Sequence, residues 1–172
     1  AFRNEIEDLM QFSGCPVTID FVLFSCDPGT FSTVVNTPGA TTFEGVELGL
    51  QHDFTDTTRL TLAYTYLDAA TAAGALLPRV AEHELFLSLK GEIIDRVTGE
   101  VAVTHIADHA PDVNPVRIMP DYTVVNLNFD FAVTDETTFF VSVQNVLDEE
   151  YQQVGGFGKA DRSVFAGLRA NF

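Results

Sequence analysis

His83, His105 and His109 are the side chains whose type most invites a metal or a bound substrate, yet they are scattered over separate segments. A histidine standing alone is ordinarily a satisfied polar residue, and that is the reading taken here. Asp108, Asp112 and Asp121, with Asn114 among them, supply the oxygen ligands that Ca²⁺ takes. Their spacing matches no calcium loop, so solvated acids are the plainer reading. Cys15 and Cys26 share one segment with Pro16, Pro28 and Gly29. They could close a local disulfide in an oxidising compartment and would be free thiols in a reducing one. The sequence has no C-x-x-C pair, Ser-His-Asp arrangement, nucleotide loop or paired-carboxylate site. These residues therefore indicate no enzyme and no cofactor. What is left is turn chemistry. Asn145 and Asp148 bracket a strand exit, where short polar side chains bond turn backbone, and Gly155, Gly156 and Gly158 allow positive φ in the loop beyond.

The elements that hold these residues are strands. The chain has 172 residues and a net charge of −16, with 46% hydrophobic and 20% charged residues, which is too apolar for a disordered acidic tail. It contains no apolar run of the ~20 residues that a membrane helix needs. The acidic balance without a Lys/Arg cluster argues against nucleic acid as a partner. Alternation with period two recurs throughout: Val164, Ala166, Leu168, Ala170 and Phe172 lie against Ser163, Phe165, Gly167, Arg169 and Asn171. Leu60, Leu62, Tyr64 and Tyr66 share a face, as do Val125, Leu127, Phe129 and Phe131, and Val46, Leu48 and Leu50. We read eight strands, about 1–9, 41–54, 58–68, 82–95, 98–108, 121–132, 137–146 and 162–172.

Two features point these strands at a membrane. Several approach the ~9–11 residues that a tilted strand needs to cross a bilayer, whereas globular strands centre on ~5–6. The connections also alternate in length. Residues 53–57, 95–99 and 133–137 are tight polar turns, while 10–40, 69–81, 109–120 and 147–161 are long. Short turns at one rim and long loops at the other are the pattern of an outer-membrane barrel. A charge facing lipid near the mid-bilayer costs ~2–4 kcal/mol for Lys or Arg. The charge-bearing phase should accordingly face the lumen or a plug, with Glu47, Asn126, Asn128 and Gln144 as candidates, and the apolar phase should face lipid. Tyr151 and Phe157 are expected in an aromatic girdle at the outer interface.

Six segments resemble TonB-dependent outer-membrane receptors. Asn145-Val146-Leu147-Asp148-Glu149-Glu150-Tyr151 resembles the family's Asn-Leu-Phe-Asp-x-x-Tyr segment. Gly155-Gly156-Phe157-Gly158 followed by Arg162 resembles its glycine-aromatic loop and the arginine opening the last strand. Phe165-Ala166-Gly167-Leu168 through Phe172 resembles the closing strand with its terminal aromatic. Upstream, Phe2 to Leu9 resembles the aromatic-x-Asn-x-Ile-x-Asp-Leu strand. Asn36, Ala40, Gly45, Val46 and Glu47 resemble the Asn…Ala…Gly-x-Glu stretch, and Tyr64 to Asp68 the Tyr-x-Tyr-x-Asp strand. Val146-Leu147 in place of Leu-Phe, Ala81 in place of Pro, and the Cys15–Cys26 loop depart from the pattern.

The resemblance implies that residues 1–172 are the C-terminal part, about eight strands, of a larger barrel of about 22 strands. It implies a plug and earlier strands outside this chain. It also implies import of a scarce nutrient complex (siderophore-iron, cobalamin or similar) in a Gram-negative outer membrane. The partners implied are outer-membrane lipid, the barrel-assembly machinery through Phe172, the receptor's own plug, a TonB-type energy-coupling protein, and a small-molecule or metal-chelate ligand. Three competitors stand beside this reading. A complete eight-stranded outer-membrane protein, structural or adhesive, would pair 1–9 with 162–172; an outer-membrane enzyme would need a nucleophile and base; a soluble barrel would turn its apolar phase inward.

Overall fold

The computed structural model describes residues 1–13, 33–113, 116–154 and 156–171. Cys15, Cys26, Asn114, Gly155 and Phe172 lie outside them. Thirteen strands occur in chain order: β1 (Phe2–Glu7), β2 (Met10–Ser13), β3 (Thr33–Asn36), β4 (Ala40–Asp53), β5 (Arg59–Ala70), β6 (Ala81–Ile94), β7 (Val97–Val113), β8 (Val116–Met119), β9 (Tyr122–Ala132), β10 (Thr137–Gln144), β11 (Gln152–Val154), β12 (Phe157–Gly158) and β13 (Ser163–Ala170). The main antiparallel sheet runs β1-β4-β5-β6-β7-β9-β10-β13, and β8 adds to β7. Its eight through-strands are those expected from the alternation.

The differences lie at the long-loop end. The stretch read as loop 10–40 contains the β2–β3 hairpin, and 147–161 contains the β11–β12 hairpin. The strand read as 98–108 continues to Val113 and pairs back on β8, so most of 109–120 is sheet rather than loop. Positive φ sets several boundaries. The first strand stops at Glu7 because Asp8 turns left-handed (φ 52°), and β10 stops at Gln144 because Asn145 does (φ 51°). Asp and Asn tolerate that conformation because their side chains can bond nearby backbone.

The register fixes which residues share a face. Leu50–Leu62–Leu87–Val103–Val125 forms one row across five strands, and Leu60–Leu89–Val101–Leu127–Val143–Val164 forms the next. Below them come Gly99–Phe129–Val141–Ala166 and then Val97–Phe131–Phe139–Leu168. The row above carries Leu48, Tyr64, Leu85, His105 and Thr123. On β9 this belt spans Thr123 to Phe131, eight steps, or about 27 Å along the strand and about 21 Å at a ~40° tilt. An outward apolar band is ~25 Å tall.

The belt is bare. Leu48, Leu50, Val164 and Leu168 are each more than half exposed, with Leu168 at 70%. Among the described residues only Ala69, Leu77, Ile106, Ala110, Met119, Tyr122 and Val124 are buried hydrophobics. The accessible surface is 11838 Å², against about 8,300 Å² for a compact monomer of this mass. A soluble barrel would hide its apolar phase, so that alternative fails. The eight-stranded closed barrel fails on the edges. It needs β1 against β13, whereas β1 pairs with β4, β13 pairs with β10, and neither has a second neighbour in the sheet among the described residues.

Candidate functional site

The other face of the sheet carries the polar residues, and part of them form a bonded ladder. Glu47 sits opposite Thr65, Asn126 opposite Ala102, and Asn128 opposite both Glu100 and Ser142. Gln144 pairs with Ser163 on β13 in the same phase. Ser88 Oγ, 6% exposed as a residue, donates to Glu100 Oε1 at 2.7 Å. Glu100 Oε2 accepts from Asn128 Nδ2 at 3.4 Å, and Asn128 Oδ1 accepts from Ser142 Oγ at 2.7 Å. This ladder crosses β6, β7, β9 and β10, so a carboxylate and two hydroxyls are satisfied within the wall itself. Side chains held by such neighbours form a fixed polar surface rather than a reactive centre.

The loop after β10 is tied to this face from both ends. The Asn145 amide donates to Asn126 Oδ1 at 2.9 Å. Its side chain then clamps the turn: Nδ2 donates to the Glu149 carbonyl at 3.0 Å, and Oδ1 accepts the Glu149 amide at 2.9 Å. Asp148, also at positive φ, accepts the Arg162 amide on Oδ1 at 2.8 Å, which joins the start of the loop to its return. Arg162 Nη2 lies 3.9 Å from Asp148 Oδ2. The motif residues Asn145, Asp148 and Arg162 are thus a backbone staple. Gly156, at φ 90°, donates its amide to Gln152 Oε1 at 2.8 Å.

Tyr151 departs from its expected place. It stacks on Tyr122 with ring centroids 4.4 Å apart, packed against the Ile106–Tyr122–Val124 cluster. Tyr122, Val124 and Ile106 fall in the phase of Asn126 and Asn128, so Tyr151 covers the polar face and is no part of an outward girdle. The physical reason is the staple, which turns the loop back over the sheet and buries the ring there. The outward aromatic edge is supplied instead by Tyr64, Tyr66 and His83, with Tyr64 OH 2.8 Å from His83 Nδ1 and the Tyr66 ring tilted at 38° to the imidazole, 5.3 Å between centroids. Phe157 lies on the β11–β12 hairpin, 72% exposed.

Of the other polar candidates, His83 and Asp108 come together, with His83 Nε2 3.7 Å from Asp108 Oδ2. His105 Nδ1 is 2.9 Å from Thr123 Oγ1, and the Asp108 amide donates to Asp121 Oδ1 at 2.9 Å, another turn staple. No group of three His, Cys, Asp or Glu able to hold a metal occurs among the described residues. Sequence reasoning missed an open cleft of ≈ 660 Å³ between the β8–β9 turn and the Tyr151 loop. Buried Met119 and half-buried Tyr151 and Gln152 form its floor, and exposed Glu150, Lys159 and Asp161 its rim. The Tyr151 motif was the available signal, but strand alternation gives no information on where a loop folds back.

Comparison with known proteins completes the assignment. The family model for the β-barrel of TonB-dependent-receptor-like proteins matches residues 1–146. The chain belongs to the TonB-dependent receptors. The iron-regulated outer membrane virulence protein of Vibrio cholerae is 25% identical over 187 residues, covering 100% of this chain and 28% of that protein. The vitamin B12 transporter of the same species is 26% identical over 141 residues, covering 80% of this chain and 23% of the transporter. The chain therefore spans about a quarter of these receptors' length. Among solved structures, the copper transporter OprC overlays with a TM-score of 0.73 at 16% identity, covering 99% of this chain and 28% of that one. The ferric-catecholate import receptor Fiu of E. coli K12 gives a TM-score of 0.71 at 17% identity, covering 99% and 24%. The sheet is thus a segment of a transmembrane antiparallel barrel in a receptor family whose named relatives are transporters and receptors.

Proposed function

We propose that residues 1–172 form the C-terminal wall of a TonB-dependent receptor of about 22 strands in a Gram-negative outer membrane. This receptor imports a scarce nutrient complex, siderophore-bound iron, a cobalamin or a similar chelate, by energy-coupled transport. The observation that carries the reading is the pairing of an apolar belt with no buried member and a polar face crossed by a hydrogen-bonded ladder. Lipid covers the belt and a plug or ligand meets the polar side, including Glu47, Asn126, Asn128 and Gln144. The two unpaired sheet edges take neighbouring strands of the same barrel, since an open edge in hydrocarbon costs several kcal/mol per unpaired group.

The work of the segment is structural and recognitive. The staple of Asn145, Asp148 and Arg162 fixes the last long loop over the lumen. Plug movement is driven by a TonB-type protein at the inner membrane, and Phe172 addresses the barrel to its assembly machinery. The test is uptake by cells carrying the full receptor, with and without the coupling protein, using a radiolabelled ferric chelate panel and cobalamin. Coupling-dependent uptake of one probe, lost on deleting the receptor, is the expected result. Unchanged uptake of every probe after that deletion would refute the transport role.

A further inference from the structure

We infer that the cleft between Met119–Pro120 and the Tyr151 loop contacts the transported ligand, and that this ligand is neutral or cationic and presents an apolar or planar face. The inference rests on the receptor reading above and adds the charge class of the cargo. Three observations carry it. The cleft, at ≈ 660 Å³, falls within the ~300–1,000 Å³ typical of small-molecule sites, and it opens on the polar side of the wall through Tyr151. Met119 at its base is buried, 5% exposed, and the half-buried Tyr151 ring, stacked on Tyr122 at 4.4 Å between centroids, lines the cleft with an aromatic edge. Its rim is acidic: Glu150 and Asp161 face a single Lys159, and neither carboxylate makes an ion pair among the described residues.

The charge of the path below has the same sign. On the polar phase Glu47, Asp53, Glu84, Glu92, Glu100 and Asp130 outnumber Arg59, Lys90 and Arg169. A groove lined by one sign of charge between low-dielectric walls raises the local concentration of counter-ions and repels like charge. A trianionic chelate would be repelled both at the mouth and along the wall. A neutral or cationic chelate would be admitted, its amines or amides bonding the rim carboxylates while its apolar part lies on the exposed part of the Tyr151 ring.

The experiment uses the purified full-length receptor and three iron(III) chelates of similar size: a cationic trihydroxamate bearing a free amine, a neutral trihydroxamate, and a trianionic tris-catecholate. Affinity for each is read by titration calorimetry for the native receptor, a Glu150→Gln/Asp161→Asn variant, and a Glu136→Gln control at the opposite end of the sheet. The native protein is expected to favour the cationic or neutral chelate over the trianion by at least about ten-fold. The double variant should shrink that preference about ten-fold, as two charges at ~8 Å from a trianion imply with physiological screening. Glu136→Gln should leave it unchanged. Preference for the trianion, binding of none of the three, or a ratio insensitive to the double variant would each overturn the inference. Coupling-dependent cellular uptake separates the two readings. Uptake that depends on coupling but favours the trianion sinks the charge inference alone, whereas uptake independent of coupling for every probe sinks the receptor reading.

Discussion

Leu127 and Asn128 are neighbours on β9 whose side chains point to opposite faces, so an arginine at each asks which side is greasy. Leu127 occupies the middle of the five rows of the belt, between Val101 and Val143, at the depth where an exposed charge costs most. Leu127→Arg should therefore lower stability by about 2–4 kcal/mol. Asn128→Arg removes the acceptor for Ser142 and the donor to Glu100, a loss of about 1 kcal/mol per bond. It also sets a guanidinium beside the Glu100 carboxylate, which returns up to about 1 kcal/mol. The net cost at Asn128 is about 1 kcal/mol. A gap of ~2 kcal/mol corresponds to about 30-fold in the folding equilibrium. The assay is a urea titration of the full receptor in phosphatidylcholine vesicles, with folded and unfolded forms separated by their gel mobility without heating. Equal midpoints for the two variants, or a larger loss at Asn128, would refute the assignment of faces.

Three further outcomes follow from local geometry. Asn145→Ala loses both bonds to Glu149 and forces alanine into positive φ, so thermal unfolding should show a loss of about 2–3 kcal/mol. Asn145→Gly should recover part of that loss, and full recovery would show that the bonds contribute nothing. Gly45→Ala drives a methyl into the Tyr66 carbonyl and the Phe2 ring, whereas Gly49→Ala meets nothing within 4 Å. The first should cost about 1–3 kcal/mol and the second under about 0.5 kcal/mol, read as urea midpoints. Arg96, at φ 66° in the turn between β6 and β7, accepts the Ala132 amide on its carbonyl, and its side chain makes an exposed pair with Asp135 at 2.9 Å. Arg96→Gly should be neutral or stabilising by up to about 1 kcal/mol, and a clear loss would mean that the pair outweighs the strain.

Strand alternation made the sheet legible because each face meets one solvent: Leu60 to Tyr66 and Val125 to Phe131 reveal themselves at every second residue. Boundaries were less legible, since a single left-handed residue such as Asp8 or Asn145 ends a strand without altering the hydrophobic pattern around it. The extension of β7 past Asp108 was not legible because strands that continue past the apolar belt need no greasy face. The staple was foreseeable from Asn145 and Asp148 as turn formers, but the inward fold of Tyr151 was not. An aromatic ring suits an interfacial girdle and a lumen-side stack equally well by composition. The Tyr122 partner lies 29 residues away in sequence, and only the register brings it under the loop.

The account rests on lipid touching the apolar phase, and one measurement probes this directly. Single cysteines at positions 125 to 130 of the full receptor, with Cys15 and Cys26 changed to serine, are spin-labelled in vesicles and tested for collision with oxygen and with a water-soluble nickel chelate. Labels at Val125, Leu127 and Phe129 should meet oxygen freely and the chelate hardly at all, while Asn126, Asn128 and Asp130 do not share that lipid signature. Odd-numbered positions shielded from both reagents would mean a packed interior, and would contradict the barrel-wall account.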